Sequence, residues 1–167
     1  DVHPMMILAL TAGLMALGRF FAGPLVHAFN PAGVLVMSAV VTTIGLLLLS
    51  QASGYMIYVS AAVFALGVTY FWPTMIGFTS EYMPKTGALG MSLIGGAGMF
   101  SVSMWNPVIG GWLDQAKKDA IESGITGDAV ELVAGQATLQ NLAMIPGVLI
   151  VAFGVLFVLR KRFAHSK

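Results

Sequence analysis

An all-α, polytopic membrane protein of five transmembrane helices is what this sequence predicts, and three observations predict it. First, 57% of its 167 residues are hydrophobic and only 9% are charged, where soluble domains carry roughly 25% charged residues. Second, mean hydropathy is +0.87. Third, the apolar residues gather in five runs, at residues 4–29, 32–50, 55–82, 87–113 and 139–160. At about 1.5 Å per residue, each run is long enough to cross a hydrocarbon core of about 30 Å.

The first run opens at Pro4 and carries Arg19 near its far end. Asn30-Pro31 separates it from the second run, which is nearly pure Val, Leu, Ile, Ala and Gly and suits a lipid-facing periphery. Ser53-Gly54 leads into the third run, where Gly67, Tyr70, Thr74, Gly77 and Glu81 recur at helical spacing and share one face. Pro73 lacks a backbone donor and should kink that helix near Tyr70. The turn Pro84-Lys85-Thr86-Gly87 leads to the fourth run, whose Ser92, Gly96, Met99, Ser103, Asn106 and Gly110 form a second stripe. Small residues at such spacing let helices approach closely. Tyr70, Thr74 and Asn106 also offer hydrogen bonds that lipid cannot return, so a water-filled cavity is the sharper expectation for them. Trp72 and Trp105 are candidate stacking surfaces, and Trp112 reads as an interfacial anchor.

Residues 114–138 hold five of the seven acidic side chains and two glycine breaks, Gly124 and Gly127. They are expected to form an external loop with helical content near Gln115–Glu122 and Asp128–Ala134. The fifth run is again aliphatic and peripheral in character. Of the eight basic residues, Arg19, Lys85, Arg160, Lys161, Arg162 and Lys167 fall on one side and Lys117 and Lys118 on the other. Cytoplasmic loops are enriched in Lys and Arg. The C-terminus is therefore expected in the cytoplasm of a multi-pass protein of the cell (inner) membrane, with Asp1 and the loop at 114–138 external.

Several functions are excluded. Without cysteine there is no thiolate metal site, disulfide or thiol catalysis. His3, His27 and His165 lack metal-ligand spacing, and no histidine lies mid-bilayer to activate a serine. No cofactor, no metal and no enzymatic activity are expected. No basic–aromatic surface points to nucleic acid. No Asp, Glu, Lys or Arg lies mid-membrane, so the chain supplies no buried carboxylate for ion coupling. Asp1-Val2-His3-Pro4 is neither an initiator methionine nor a signal peptide, and the chain is expected to be a piece of something longer.

The order of helices and loops resembles the C-terminal half of a major facilitator superfamily transporter, helices eight to twelve, across essentially the whole chain. The run Gly18-Arg19-Phe20-Phe21-Ala22-Gly23-Pro24-Leu25-Val26-His27 looks like a degenerate copy of that family's Gly-x-Leu-x-Asp-Arg-x-Gly-Arg gating loop. Gly23 and Leu25 match; His27 stands where the motif has Asp and Ala28 where it has Arg, which weakens the charge relay. Phe71-Trp72-Pro73-Thr74-Met75-Ile76, Lys85-Thr86-Gly87 and Ile94-Gly95-Gly96-Ala97 are similar to the fucose/glucose/galactose–proton symporter branch. The resemblance implies a secondary active transporter of a small solute, a sugar in that branch, working by alternating access. It further implies proton coupling through residues in a missing N-terminal half. Tyr70, Thr74 and Asn106 would bind substrate with Trp72 or Trp105, while Arg19, Gly23, His27 and Lys85 would serve the gating loops. It assigns the ninth and twelfth helices to the periphery and the eleventh to the interface between halves. The alternative is a five-helix membrane scaffold or accessory subunit with no transport of its own.

Overall fold

A computed structural model describes residues 3–24 and 30–164, with the side chains of Tyr82 and residues 160–164 left aside. Among the described residues every regular element is helical. We number the helices α1 (Pro4–Phe20), α2 (Pro31–Leu49), α3 (Met56–Thr69), α4 (Phe71–Tyr82), α5 (Gly87–Glu122), α6 (Asp128–Leu142) and α7 (Met144–Ala164). A 3-10 turn at Pro84–Thr86 joins α4 to α5. Four stretches, Pro31–Leu49, Met56–Glu81, Pro84–Glu122 and Asp128–Leu159, are long and apolar enough to cross a membrane, and Pro4–Phe20 is a shorter apolar helix.

Two helix breaks have a common cause. A proline ring crowds the carbonyl four residues before it. Pro73 does this to Thr69, and the helix turns at Tyr70, between α3 and α4. Pro146 does it to Leu142, and the helix turns at Ala143, between α6 and α7. Pro107 sits inside α5 without ending it, a difference for which the structure gives no reason.

The core lies where the residue chemistry did not place it. The second apolar run reads as lipid-facing periphery, yet α2 is the hub, packed against α3, α4, α6 and α7. Pro31, Ala32, Val34, Leu35, Ser38, Ala39, Thr42, Gly45 and Leu46 of α2 are all buried. The physical reason is the set of small residues hidden among the aliphatics. At Gly45 the backbone of Phe64 comes so close that an added Cβ would lie 2.5 Å from its Cα. Gly67 answers on α3, with its own Cβ position 2.5 Å from the backbone N of Thr42. A third contact of this kind sets Gly18 of α1 against Thr69, 2.6 Å from the threonine methyl. In lipid, where helices have no hydrophobic drive to associate, close contact of this sort would hold them together.

Contacts fix the direction of each pass. The His3 backbone N–H donates to the Tyr58 hydroxyl at 3.3 Å, so α1 and α3 start at one end of the bundle. At that same end the Gln136 side chain donates to the Ala52 carbonyl at 2.9 Å, tying α6 to the turn between α2 and α3. The segment expected as an external loop is a helical hairpin: α5 runs on to Glu122, Gly124 and Gly127 turn the chain with positive φ, and α6 returns. Lys117 and Glu131 bridge the hairpin at 3.3 Å. Arg19, Glu81 and Lys85 lie at the opposite end of the bundle from this hairpin, so the charges divide between the ends.

Candidate functional site

The bend at Tyr70 splits the third apolar run into two halves with different neighbours. Above it, α3 is locked against α1 and α2. Below it, α4 contacts α2 and reaches α5. Tyr70 keeps helical backbone angles (φ −91, ψ −8), but its N–H turns to the Val68 carbonyl rather than one turn back. Regular bonding resumes where the Thr74 N–H donates to the Tyr70 carbonyl at 3.1 Å.

The residues expected to bind substrate do not share one cavity. Thr74 is fully buried (0% exposed), and its hydroxyl has no hydrogen-bond partner in the protein. Tyr70 is half-buried at the bend. Trp72 is 44% exposed, with its ring edge 3.5 Å from the Cβ position of Gly98 on α5. Trp105 is 37% exposed and packs edge-to-face on Trp112, centroids 6.2 Å apart. These two rings, with Asn141, Met144, Ile145, Val148 and Leu149, line a largely apolar groove of about 560 Å³ between α5 and α7. Asn106 is exposed. Of the gating-loop residues, Arg19 and Lys85 are exposed, Gly23 has open space around it, and His27 lies outside the described residues.

The two polar stripes separate cleanly. On α3 and α4, Gly67 and Thr74 are buried, so that stripe is largely a packing surface against α2. On α5, Ser92, Gly96, Met99, Ser103, Asn106 and Gly110 are all exposed, Met99 by 74%. No residue of the apolar window of α5 is buried within the chain. Its contacts are with α4 and the 3-10 turn at one end and with α6 at the other. A polar stripe at bilayer depth is costly unless protein or water meets it.

Reading the sequence missed the α2 seam. Its signal was present as small residues at Ala32, Ser38, Ala39, Thr42 and Gly45, steps that place them along one side of a helix. Among the described residues no cluster of His, Asp or Glu is arranged to hold a metal ion. Comparison with known proteins found no matching family model, no matching curated protein and no matching solved structure.

Proposed function

We propose that this chain is part of a secondary active transporter, the C-terminal half of a major facilitator-type protein that moves a small solute by alternating access. The observation that carries this reading is the open stripe on α5. Ser103 and Asn106 sit on a span that the rest of the chain leaves unburied. Such groups need a second membrane body or water beside them. In this reading that body is the N-terminal half of the same protein, and the space between the halves holds the substrate. Ser103 and Asn106 would face it from α5, whereas Trp105 lines the groove toward α7 and Trp72 packs on Gly98, on the other side of that helix. Proton coupling would reside in the other half, and a sugar is the substrate class that the sequence resemblance favours. The chain's apolar helices are compatible with membrane insertion, and the segregation of basic residues favours a cytoplasmic C-terminus.

These 167 residues contain no cysteine, so only cysteines elsewhere in the reading frame need first be replaced by serine. Single cysteines at Ser103 and Asn106 on the stripe, and at Val155 on exposed α7, are placed in the protein expressed from its whole reading frame. An aqueous, membrane-impermeant thiol reagent should label Ser103→Cys and Asn106→Cys much faster than Val155→Cys. Equal, slow labelling of all three would refute the cavity. It would favour the second reading, a five-helix scaffold whose stripe is sealed dry against another protein. Uptake of radiolabelled fucose, galactose and glucose into proteoliposomes under a pH gradient tests the substrate class. No accumulation of any of them removes the sugar.

A further inference from the structure

Most intramembrane hydroxyls of this chain are satisfied the same way. Thr11, Thr43, Ser60, Thr69, Thr79 and Ser92 each donate to a carbonyl three or four residues back, at distances up to 3.0 Å. Three buried hydroxyls depart from this pattern. Ser38 (2% exposed), Thr42 (3%) and Thr74 (0%) have no hydrogen-bond partner in the protein. Leaving such a group unpaired costs about 1–3 kcal/mol.

Ser38 and Thr42 lie on α2 and Thr74 on α4, which packs against α2. Gly45 lies against Phe64 and Thr42 against Gly67, an antiparallel register between α2 and α3. Carried past the bend, that register would bring Ser38 level with Phe71 and Leu35 level with Thr74, so that Ser38 and Thr42 would bracket Tyr70 from α2 with Thr74 one turn beyond it. The Thr42 hydroxyl points at α3, 2.5 Å from the Cβ position of Gly67. The same bend holds an orphaned acceptor. The carbonyl of Thr69 would normally receive the N–H four residues on, but that residue is Pro73, which has none.

We infer that the bend at Tyr70 is a hydration site, where internal water accepts from the Ser38, Thr42 and Thr74 hydroxyls and donates to the Thr69 carbonyl. The direction of the missing bonds selects the ligand. These hydroxyls have turned away from the carbonyls that satisfy the others, so their O–H groups need an acceptor. A bare cation supplies none. It would also enter a site with no carboxylate, since between Pro4 and Ser80 the sequence contains no Asp or Glu. Water offers both acceptor and donor and commonly makes about three hydrogen bonds in such places. Water inserted at a helix break also replaces stiff backbone bonds with exchangeable ones. The bend joins the locked half, α3, to the half that carries α5, so its hydration sets how freely α4 and α5 swing against α1–α3. This inference does not depend on the transporter reading.

Two measurements test it on the full chain in lipid bilayers. In water-edited solid-state NMR, the side chains of Thr42 and Thr74 should receive water magnetisation several-fold faster than Ser60, which is equally buried but bonded to the Met56 carbonyl and lies away from the bend. Transfer to Thr42 and Thr74 as slow as to Ser60 overturns the proposal. The second measurement is thermal unfolding. Thr42→Val keeps the shape and removes a donor to the water, so Tm should fall by about 2–4 °C. If the hydroxyl is dry and merely unpaired, Tm rises instead. Pro73→Ala restores an N–H for the Thr69 carbonyl, so in that background the loss from Thr42→Val should shrink by half or more. An equal loss in both backgrounds would detach the hydroxyls from the bend and overturn the proposal.

Discussion

Replacing Gly45 by alanine probes the contact on which the hub depends. The new methyl would stand 2.5 Å from Cα and 2.6 Å from the backbone N of Phe64. No side-chain rotation relieves a clash with backbone. Restoring an ordinary contact near 3.4 Å requires α2 and α3 to separate by about 0.9 Å. A gap of that size forfeits about a quarter to a half of the dispersion attraction across it. Leu35, Ala39, Leu46, Ala61 and Ala65 are buried in these two helices and lose contact together. Overpacking of this kind costs about 1–3 kcal/mol. Alanine returns up to about 1 kcal/mol through its better helix propensity. The net loss is about 1–2 kcal/mol, or roughly 2–8 °C in Tm for a chain of this size. Gly67→Ala makes a similar clash from the other side, 2.5 Å from the Thr42 N and 2.8 Å from its Cα. One separation relieves both, so the double variant should lose little more than either single one. Thermal unfolding of the purified protein in detergent, followed by size-exclusion chromatography after heating, measures all three. Unchanged Tm in the single variants, or strict additivity in the double, would refute the seam.

Gly96→Ala and Gly110→Ala meet nothing within 4 Å. In this chain alone they should leave Tm unchanged or raise it, by up to about 1 kcal/mol of helix propensity. Under the transporter reading, the same changes in the protein expressed from its whole reading frame should lower uptake, because a second half would cover them. Gln136→Ala removes the bond to the Ala52 carbonyl and should cost about 1 kcal/mol, with faster amide exchange confined to residues 50–55. Glu131→Gln breaks an exposed ion pair with Lys117 and should shift stability by less than about 1 kcal/mol. In intact cells, single cysteines at Ser53 and Ser123 should react with an impermeant reagent, whereas Lys85→Cys should react only after permeabilisation. The reverse pattern would invert the orientation.

How much of this was legible in the sequence depends on what kind of signal each feature leaves. Four of the five expected apolar runs were legible as helices long enough to cross a membrane, because that is a matter of length and hydropathy, and both are local; the first appears as the shorter helix Pro4–Phe20. The bend was legible at Pro73 because a proline acts on the residue four before it. Helix burial was not. In α2, the residues that pack and those that face outward are all aliphatic or small: buried Ala39 sits beside exposed Val40, and buried Gly45 beside exposed Ile44. Hydropathy does not separate such neighbours, and only the position of the partner helix does. The same blindness made Thr74 look like a cavity residue. Its hydroxyl marks a polar position, but whether that position meets solvent or the neighbouring helix is decided by α2, forty residues earlier in the chain. The stripe on α5 was visible as spacing, yet spacing alone could not tell a packed face from an open one.

The contacts divide the chain into two parts with different mechanical character. Gly18, Gly45 and Gly67 bring α1, α2 and α3 to backbone distance, where small displacements meet steep repulsion, so these three helices move as a block. The position of α5 is set quite differently. In a bilayer its apolar length would fix its depth, with little pull toward other helices. Its lateral place rests on Trp72 against Gly98 and Thr79 against Gly90, both below the bend, and on the hairpin with α6 beyond the apolar span. Between these two attachments lie Met99, Ser103 and Asn106, held at neither level. A membrane body that docked on this stretch would therefore meet a surface steered by α4, and α4 is joined to the block through the turn at Tyr70 and its packing on α2. Any force that changes the bend is delivered to the polar stripe, and any ligand gripped by the stripe pulls on the bend. That linkage follows from which helices touch and which do not. It would give the α5 stripe a route to conformational control under either reading, the other half of a transporter or another protein covering it.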